Sequence, residues 1–136
     1  MEKVIIFTDG GARGNPGPAG IGAVIYNEHK KVIAEISEFL GVATNNQAEY
    51  KALIAAFRKA ADLGAAELEC YLDSELVVKQ LKGEYRVKDK DLAVLFLAIH
   101  NLSLSFKKIT YTHIPRERNK EADRLANEAM DRGQEK

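Results

Sequence analysis

The chain has a single cysteine, Cys70, so it cannot form an internal disulfide, and a reducing, cytoplasmic setting is expected. It has no net charge, because 20 Lys and Arg offset 20 Asp and Glu. That balance does not bar a nucleic-acid partner, but bulk positive charge cannot be what holds one; local patches or bound metal must supply the attraction. No apolar run is long enough to span a bilayer, and no basic-then-apolar leader precedes the first predicted strand, so no membrane partner is expected. Zinc is not indicated, since His-Glu-x-x-His and paired cysteines are both missing. Repeats, low-complexity tracts and linkers are absent as well. Aromatic residues make up only 7% of the chain.

What is present is 136 residues, 46% of them hydrophobic, which suits one domain with a real core spanning residues 1–136. The apolar run through residues 3–9 predicts a strand buried on both faces. Residues 21–26 and 32–39 predict two more strands around a polar turn at 27–30. Helical spacing of Tyr50, Leu53, Ile54, Phe57 and Ala61 predicts a helix over 46–63, with Gly64 as its stop. A strand over 68–73, helices over about 74–82 and 92–102, a strand over 106–114 and a last amphipathic helix capped by Asn119 complete the order βββαβααβα. That order calls for an α/β fold, a five-stranded mixed sheet with helices packed against it.

Four carboxylates stand at special places in this pattern. Asp9 and Asp73 end strands, Glu49 lies near the start of a helix in TNNQAEY, and Asp123 near the start of another in RNKEADRLA. Singly, each has an ordinary explanation: a strand-end Asp begins a turn, and a first-turn carboxylate favours the helix dipole. Jointly they suggest more, because ligands of open α/β sheets collect beyond the carboxyl ends of parallel strands, where Asp9 and Asp73 would both emerge. Clustered carboxylates repel unless protons or cations neutralise them. Mg²⁺, a hard oxygen-seeking cation, does so, and two such ions about 4 Å apart activate a water and stabilise the leaving oxygen of a phosphodiester.

After Asp9 comes the glycine-rich GGARGNPGPAG. It is not a P-loop, since no Gly-Lys-Ser/Thr follows, and its prolines break the helix that a dinucleotide fingerprint must open. Two readings stand: an elaborate hairpin turn, or a loop whose glycines let a polynucleotide backbone approach while Asn15 donates to a phosphate or a ribose hydroxyl.

The segments FTDGGARGNPGPAGIGAVI, TNNQAEYKAL, LDSELVVKQL and NKEADRLA resemble, in order and over nearly the whole chain, the successive motifs of type I ribonuclease H. The resemblance implies a five-stranded mixed sheet, three antiparallel strands followed by parallel ones, with helices on both faces. It implies an endoribonuclease that cuts the RNA strand of RNA–DNA hybrids with Mg²⁺ or Mn²⁺, leaving 5′-phosphate and 3′-hydroxyl ends. Asp9, Glu49, Asp73 and Asp123 match the family's metal-binding acids. Gly10, Gly11, Asn15, Thr44, Asn45, Gln47 and Ser74 stand where the family touches the hybrid, with Glu49 near a ribose 2′-hydroxyl. Only RNA offers that hydroxyl, and little base reading is needed, so weak sequence preference is expected.

Larger members of that family carry a basic helix and loop. Here KGEYRVKDKDL runs quickly into the next helix with its charges offset, the short form. For the mobile group that helps the product phosphate leave, Arg116 is favoured and His113 competes; arginine can bind the phosphate but stays charged. His29 reads as a turn residue and His100 as a helix residue. Phe7, Phe39, Phe57 and Phe96 read as core; Tyr85 either stacks on a DNA sugar or packs on the surface. A free-standing monomer is expected. The alternatives are a hybrid-binding module without catalysis, or another phosphoryl-transfer enzyme on a related fold.

Overall fold

A computed structural model describes residues 2–135; Met1 and Lys136 lie outside the described residues. The element order is β1 (Lys3–Ala12), β2 (Gly17–Tyr26), β3 (Val32–Ala43), α1 (Asn45–Asp62), β4 (Glu67–Leu72), α2 (Glu75–Leu81), α3 (Lys90–Ser103), β5 (Lys108–His113) and α4 (Lys120–Gln134), with a 3₁₀ turn at Arg116–Arg118 before the last helix. The five strands form one sheet in the order β3-β2-β1-β4-β5. β1 is antiparallel to β2 and β2 to β3, whereas β4 runs parallel to both β1 and β5. The two parallel pairings need crossovers, and helices supply them.

Successive side chains of a strand point to opposite faces, and in β1 this sorts the molecule into layers. Val4 and Ile6 face a core shared with Leu68, Cys70 and Leu72 of β4 and Tyr50, Leu53 and Phe57 of α1. Phe57 is fully buried, and such a side chain contributes roughly 1.5–3 kcal/mol relative to leaving it in water. The opposite face carries α4, whose Ala122, Leu125, Ala126, Ala129 and Met130 are buried.

Three sequence expectations change here. β1 is not buried on both faces: Ile5 and Phe7 are only half-buried, and Phe7 is covered in part by its neighbours in the sheet, with Tyr71 stacked at 5.0 Å and Tyr26 edge-on at 5.8 Å. The glycine-rich stretch is mostly strand, since β1 reaches Ala12 and β2 starts at Gly17. Its glycines admit helices: a Cβ at Gly10 would lie 2.4 Å from the Ala48 carbonyl of α1, and one at Gly22 would lie 2.1 Å from the Ala122 carbonyl of α4. Of the four phenylalanines read as core, only Phe57 is fully so. Phe39 is 41% exposed and lies against Gly133, while Phe7 and Phe96 are half-buried.

Helix α1 starts where the chain supplies its own cap. Thr44 Oγ1 accepts from the Gln47 N–H at 3.1 Å, and Gln47 Oε1 accepts from the Thr44 N–H at 2.9 Å. This reciprocal box satisfies two otherwise unpaired donors and contributes about 1 kcal/mol.

Candidate metal and nucleic-acid site

Asp9 lies in β1 opposite Gly22, on the α4 side of the sheet. Asp73 follows directly on β4, the parallel neighbour of β1. Glu49 is buried in α1, one turn in rather than in the first turn, so attraction to the helix terminus does not explain it. One carboxylate oxygen from each of Asp9, Glu49 and Asp73 falls within 4.8 Å of the others. Asp123, in the first turn of α4, borders the Asp9 carboxyl without joining that group of three.

The crowding has an electrostatic consequence. Burial, then the Asp73 charge, then Asp123 push the Asp9 carboxyl up to about 8, against the opposing pull of the Gly10 N–H. Glu49 is raised well above the ordinary carboxylate range, first by burial and then by Asp9 and Asp73. The donor set is entirely carboxylate oxygen, which suits a hard divalent cation; without one, protons must carry the neutralising charge.

The sequence-predicted hybrid contacts all have local structural partners. Gly10 and Gly11 are strand residues. Asn15 Oδ1 accepts from the Asn45 N–H at 3.0 Å, and Asn45 Oδ1 accepts from the Ala12 N–H at 2.8 Å, so the two asparagines tie the β1–β2 turn to the start of α1. Thr44 and Gln47 form the capping box, and Ser74 Oγ caps α2 by accepting from the Val77 N–H at 3.2 Å. Asn15, Thr44, Asn45, Asn46 and Gln47 line a groove of about 380 Å³, whose other wall carries Asp89, Asp91 and Leu92.

Arg116 opens the 3₁₀ turn, and His113 ends β5 opposite Leu72. Both are exposed, and neither side chain has a hydrogen-bond or ion-pair partner among the described residues. His29 lies in the β2–β3 turn and His100 on an exposed position of α3. Tyr85 is exposed on the α2–α3 connection, with the Lys79 ammonium 4.9 Å from its ring centre.

One residue of the site escaped the sequence reading. Asn119 precedes α4 at the expected cap position, but its side chain makes no capping bond. It is instead buried at 1% exposure and donates from Nδ2 to Asp73 Oδ2 at 2.9 Å and to the Thr8 carbonyl at 2.8 Å. An asparagine four residues before a helical acid reads as a cap, and no local signal says otherwise.

A mixed sheet whose parallel neighbours β1 and β4 bring a carboxylate cluster together where their pairing stops, walled by a helix on each face, defines an α/β domain of the ribonuclease H-like class. The reverse transcriptase-like family model matches residues 7–129. The chain is 51% identical over 130 residues to the bifunctional protein Rv2228c of Mycobacterium tuberculosis, a match covering 95% of this chain and 36% of that protein. It therefore spans little more than a third of that relative's length. It is 46% identical to ribonuclease HI of Halobacterium salinarum over 95% of this chain and 65% of that one. Among solved structures, LC11-RNase H1 in complex with an RNA/DNA hybrid superposes with a TM-score of 0.93 at 44% identity, covering 97% of this chain and 99% of the other. The chain belongs to the reverse transcriptase-like, ribonuclease H-like family.

Proposed function

We propose that this chain is an endoribonuclease that hydrolyses the RNA strand of RNA–DNA hybrids, leaving 5′-phosphate and 3′-hydroxyl ends. The observation that carries the reading is the convergence of Asp9, Glu49 and Asp73 oxygens within 4.8 Å, with Asp123 alongside Asp9. Likeness to a ribonuclease H1 solved with its hybrid supports the substrate class.

In this reading Asp9, Glu49, Asp73 and Asp123 would hold two Mg²⁺ ions, with Mn²⁺ as a substitute. Bound divalent cations lower the pKa of a water, stabilise the leaving oxygen and offset the negative charge of both partners. Asp9 lies next to both the Glu49 and Asp73 carboxylates and Asp123, so it would be the acid shared by the whole set. Glu49 approaches the ribose 2′-hydroxyl, which DNA lacks. Gly10, Gly11, Asn15, Thr44, Asn45, Gln47 and Ser74 line the path of the hybrid. The Thr44 hydroxyl accepts its capping bond and keeps its proton for a phosphate. Arg116, exposed and unpaired, receives the departing product phosphate, with His113 as the competing group.

The short α2–α3 connection carries no basic helix, so the main groove supplies most of the grip. We read residues 1–136 as one such domain, monomeric and working in the cytoplasm. No helix among the described residues is long and apolar enough to cross a membrane, and Cys70 is buried with its thiol pushed up by burial, which keeps it unreactive.

The test is cleavage of end-labelled hybrid, duplex RNA and duplex DNA in parallel, with Mg²⁺ and with EDTA. Cation-dependent cutting confined to the RNA of the hybrid is expected. Binding without cutting would assign a recognition module, and equal cutting of duplex DNA would overturn the substrate class. Light scattering of the purified protein checks the monomer.

A further inference from the structure

Asn119 is an expensive residue to bury where it stands. It is 1% exposed, and its Oδ1 is buried without a hydrogen-bond partner. An unsatisfied buried carbonyl is destabilising, and its cap position does not offset that cost, because the side chain makes no bond to the helix.

The compensating interactions point elsewhere. An amide Nδ2 has two protons, and both are in use, one on Asp73 Oδ2 at 2.9 Å and one on the Thr8 carbonyl at 2.8 Å. Thr8 directly precedes Asp9. The backbone carbonyl of Asn119 accepts from the Asp123 N–H at 3.1 Å, the first helical bond of α4. One residue thus touches the chain segments that deliver three of the four acids: β1 just before Asp9, the residue after β4 and the start of α4. Only a side chain with two donors on one atom can bridge a main-chain carbonyl and a carboxylate in this way. A carboxylate there would repel Asp73, and a hydroxyl could donate only once.

We propose that Asn119 is a positioning residue for cation binding: its Nδ2 fixes the Asp73 carboxylate against the Thr8 carbonyl of β1 and leaves the other oxygen free for the cation. The inference rests on the reading of Asp73 as a cation ligand. Partners that orient carboxylate ligands change metal affinity by about 10–100-fold when removed. A residue that merely anchors α4 would change stability and leave that affinity alone.

The experiment is calorimetric titration of folded protein with Mn²⁺, folding checked by circular dichroism, for wild type, Asn119→Ala, Asn119→Ser, Asp73→Asn and the Asp73→Asn/Asn119→Ala double variant. Expected are Mn²⁺ affinities weaker by about tenfold or more in both Asn119 variants, little change in hybrid affinity measured without divalent cations, and no further loss when Asn119→Ala is added to Asp73→Asn. Wild-type Mn²⁺ affinity in a folded Asn119 variant overturns the inference while leaving the site reading intact. Wild-type affinity in Asp73→Asn overturns both. Should the Asn119 variants not fold, wild-type NMR decides: the Asn119 side-chain amide protons should be protected from exchange and shift on adding Mg²⁺, and unshifted protons reject the proposal.

Discussion

Asp9 and Glu49, which are remote in sequence, accept a hydrogen bond from the same donor, the Gly10 N–H, at 3.0 and 2.8 Å. The shared bond is possible because Gly10 lets α1 lie directly on β1. It also pulls both carboxyls toward ionisation, against burial and mutual repulsion.

Gly10→Ala should therefore damage the site through the backbone. The added methyl would lie 2.4 Å from the Ala48 carbonyl, forcing α1 away from β1 and Glu49 away from Asp9. Such overpacking costs about 1–3 kcal/mol, to be read from urea denaturation, and hybrid cleavage should fall with it. A variant with native stability and activity would mean that the helix can shift freely.

The raised carboxyl of Asp9 sets a pH dependence. Burial and the neighbouring acids push its pKa up to about 8 in the fold, from 3.8 for an ordinary aspartate. The cation-free folded state therefore holds a proton that the unfolded state has released across that interval. Stability of the cation-free protein should decline as pH rises from about 4 to about 8 on this account. Saturating Mg²⁺, which competes with the proton, should flatten or reverse the slope. Thermal melts over this range with EDTA and with Mg²⁺ check both signs.

Asp9→Asn should separate activity from stability. If Asp9 holds the catalytic cations, its loss should remove several kcal/mol of transition-state stabilisation, about a thousandfold or more in cleavage rate. The same change removes a repulsive charge, so the EDTA-treated variant should melt higher than wild type at alkaline pH. Full cleavage by this variant would remove Asp9 from the reaction.

Thr44→Ala should cost about 1 kcal/mol by opening the capping box. If Thr44 also donates to a hybrid phosphate, the Michaelis constant for hybrid should rise beyond what lost stability explains, and Thr44→Ser should restore both. Chemical denaturation and steady-state kinetics on the same preparations give the two readings.

Arg116→Ala should slow multiple-turnover cleavage by about tenfold, the equivalent of roughly 1.4 kcal/mol, and leave single-turnover cleavage unchanged. Because arginine stays charged, the effect should not vary with pH near neutrality. The same pattern from His113→Ala, lost as pH rises, would hand the role to the histidine.

The order of strands and helices followed from apolar periodicity, because periods of two and of 3.6 residues are written locally. The four acids stand out in the sequence at predicted strand ends and helix starts, although Asp9 lies inside β1 and Glu49 one turn into α1. Where local reading failed, the decision lay with a distant segment. The glycines of residues 10–22 looked like a loop, but Gly10 and Gly22 are needed for carbonyls of α1 and α4 that lie far along the chain. Phe39 looked like core, but β3 ends the sheet and its ring rests on the surface of α4.

Asn119 marks the division most clearly. By itself the sequence determined the order of strands and helices and which residue types follow each apolar run, since hydrophobic spacing and turn chemistry depend only on near neighbours; it did not show that β1 continues past Asp9 to Ala12. The tertiary structure alone decided that the asparagine beginning the last helix reaches Asp73 and the Thr8 carbonyl. Hydrogen bonds depend on ångström distances between segments joined only by the closing of the sheet, and no local pattern encodes those distances.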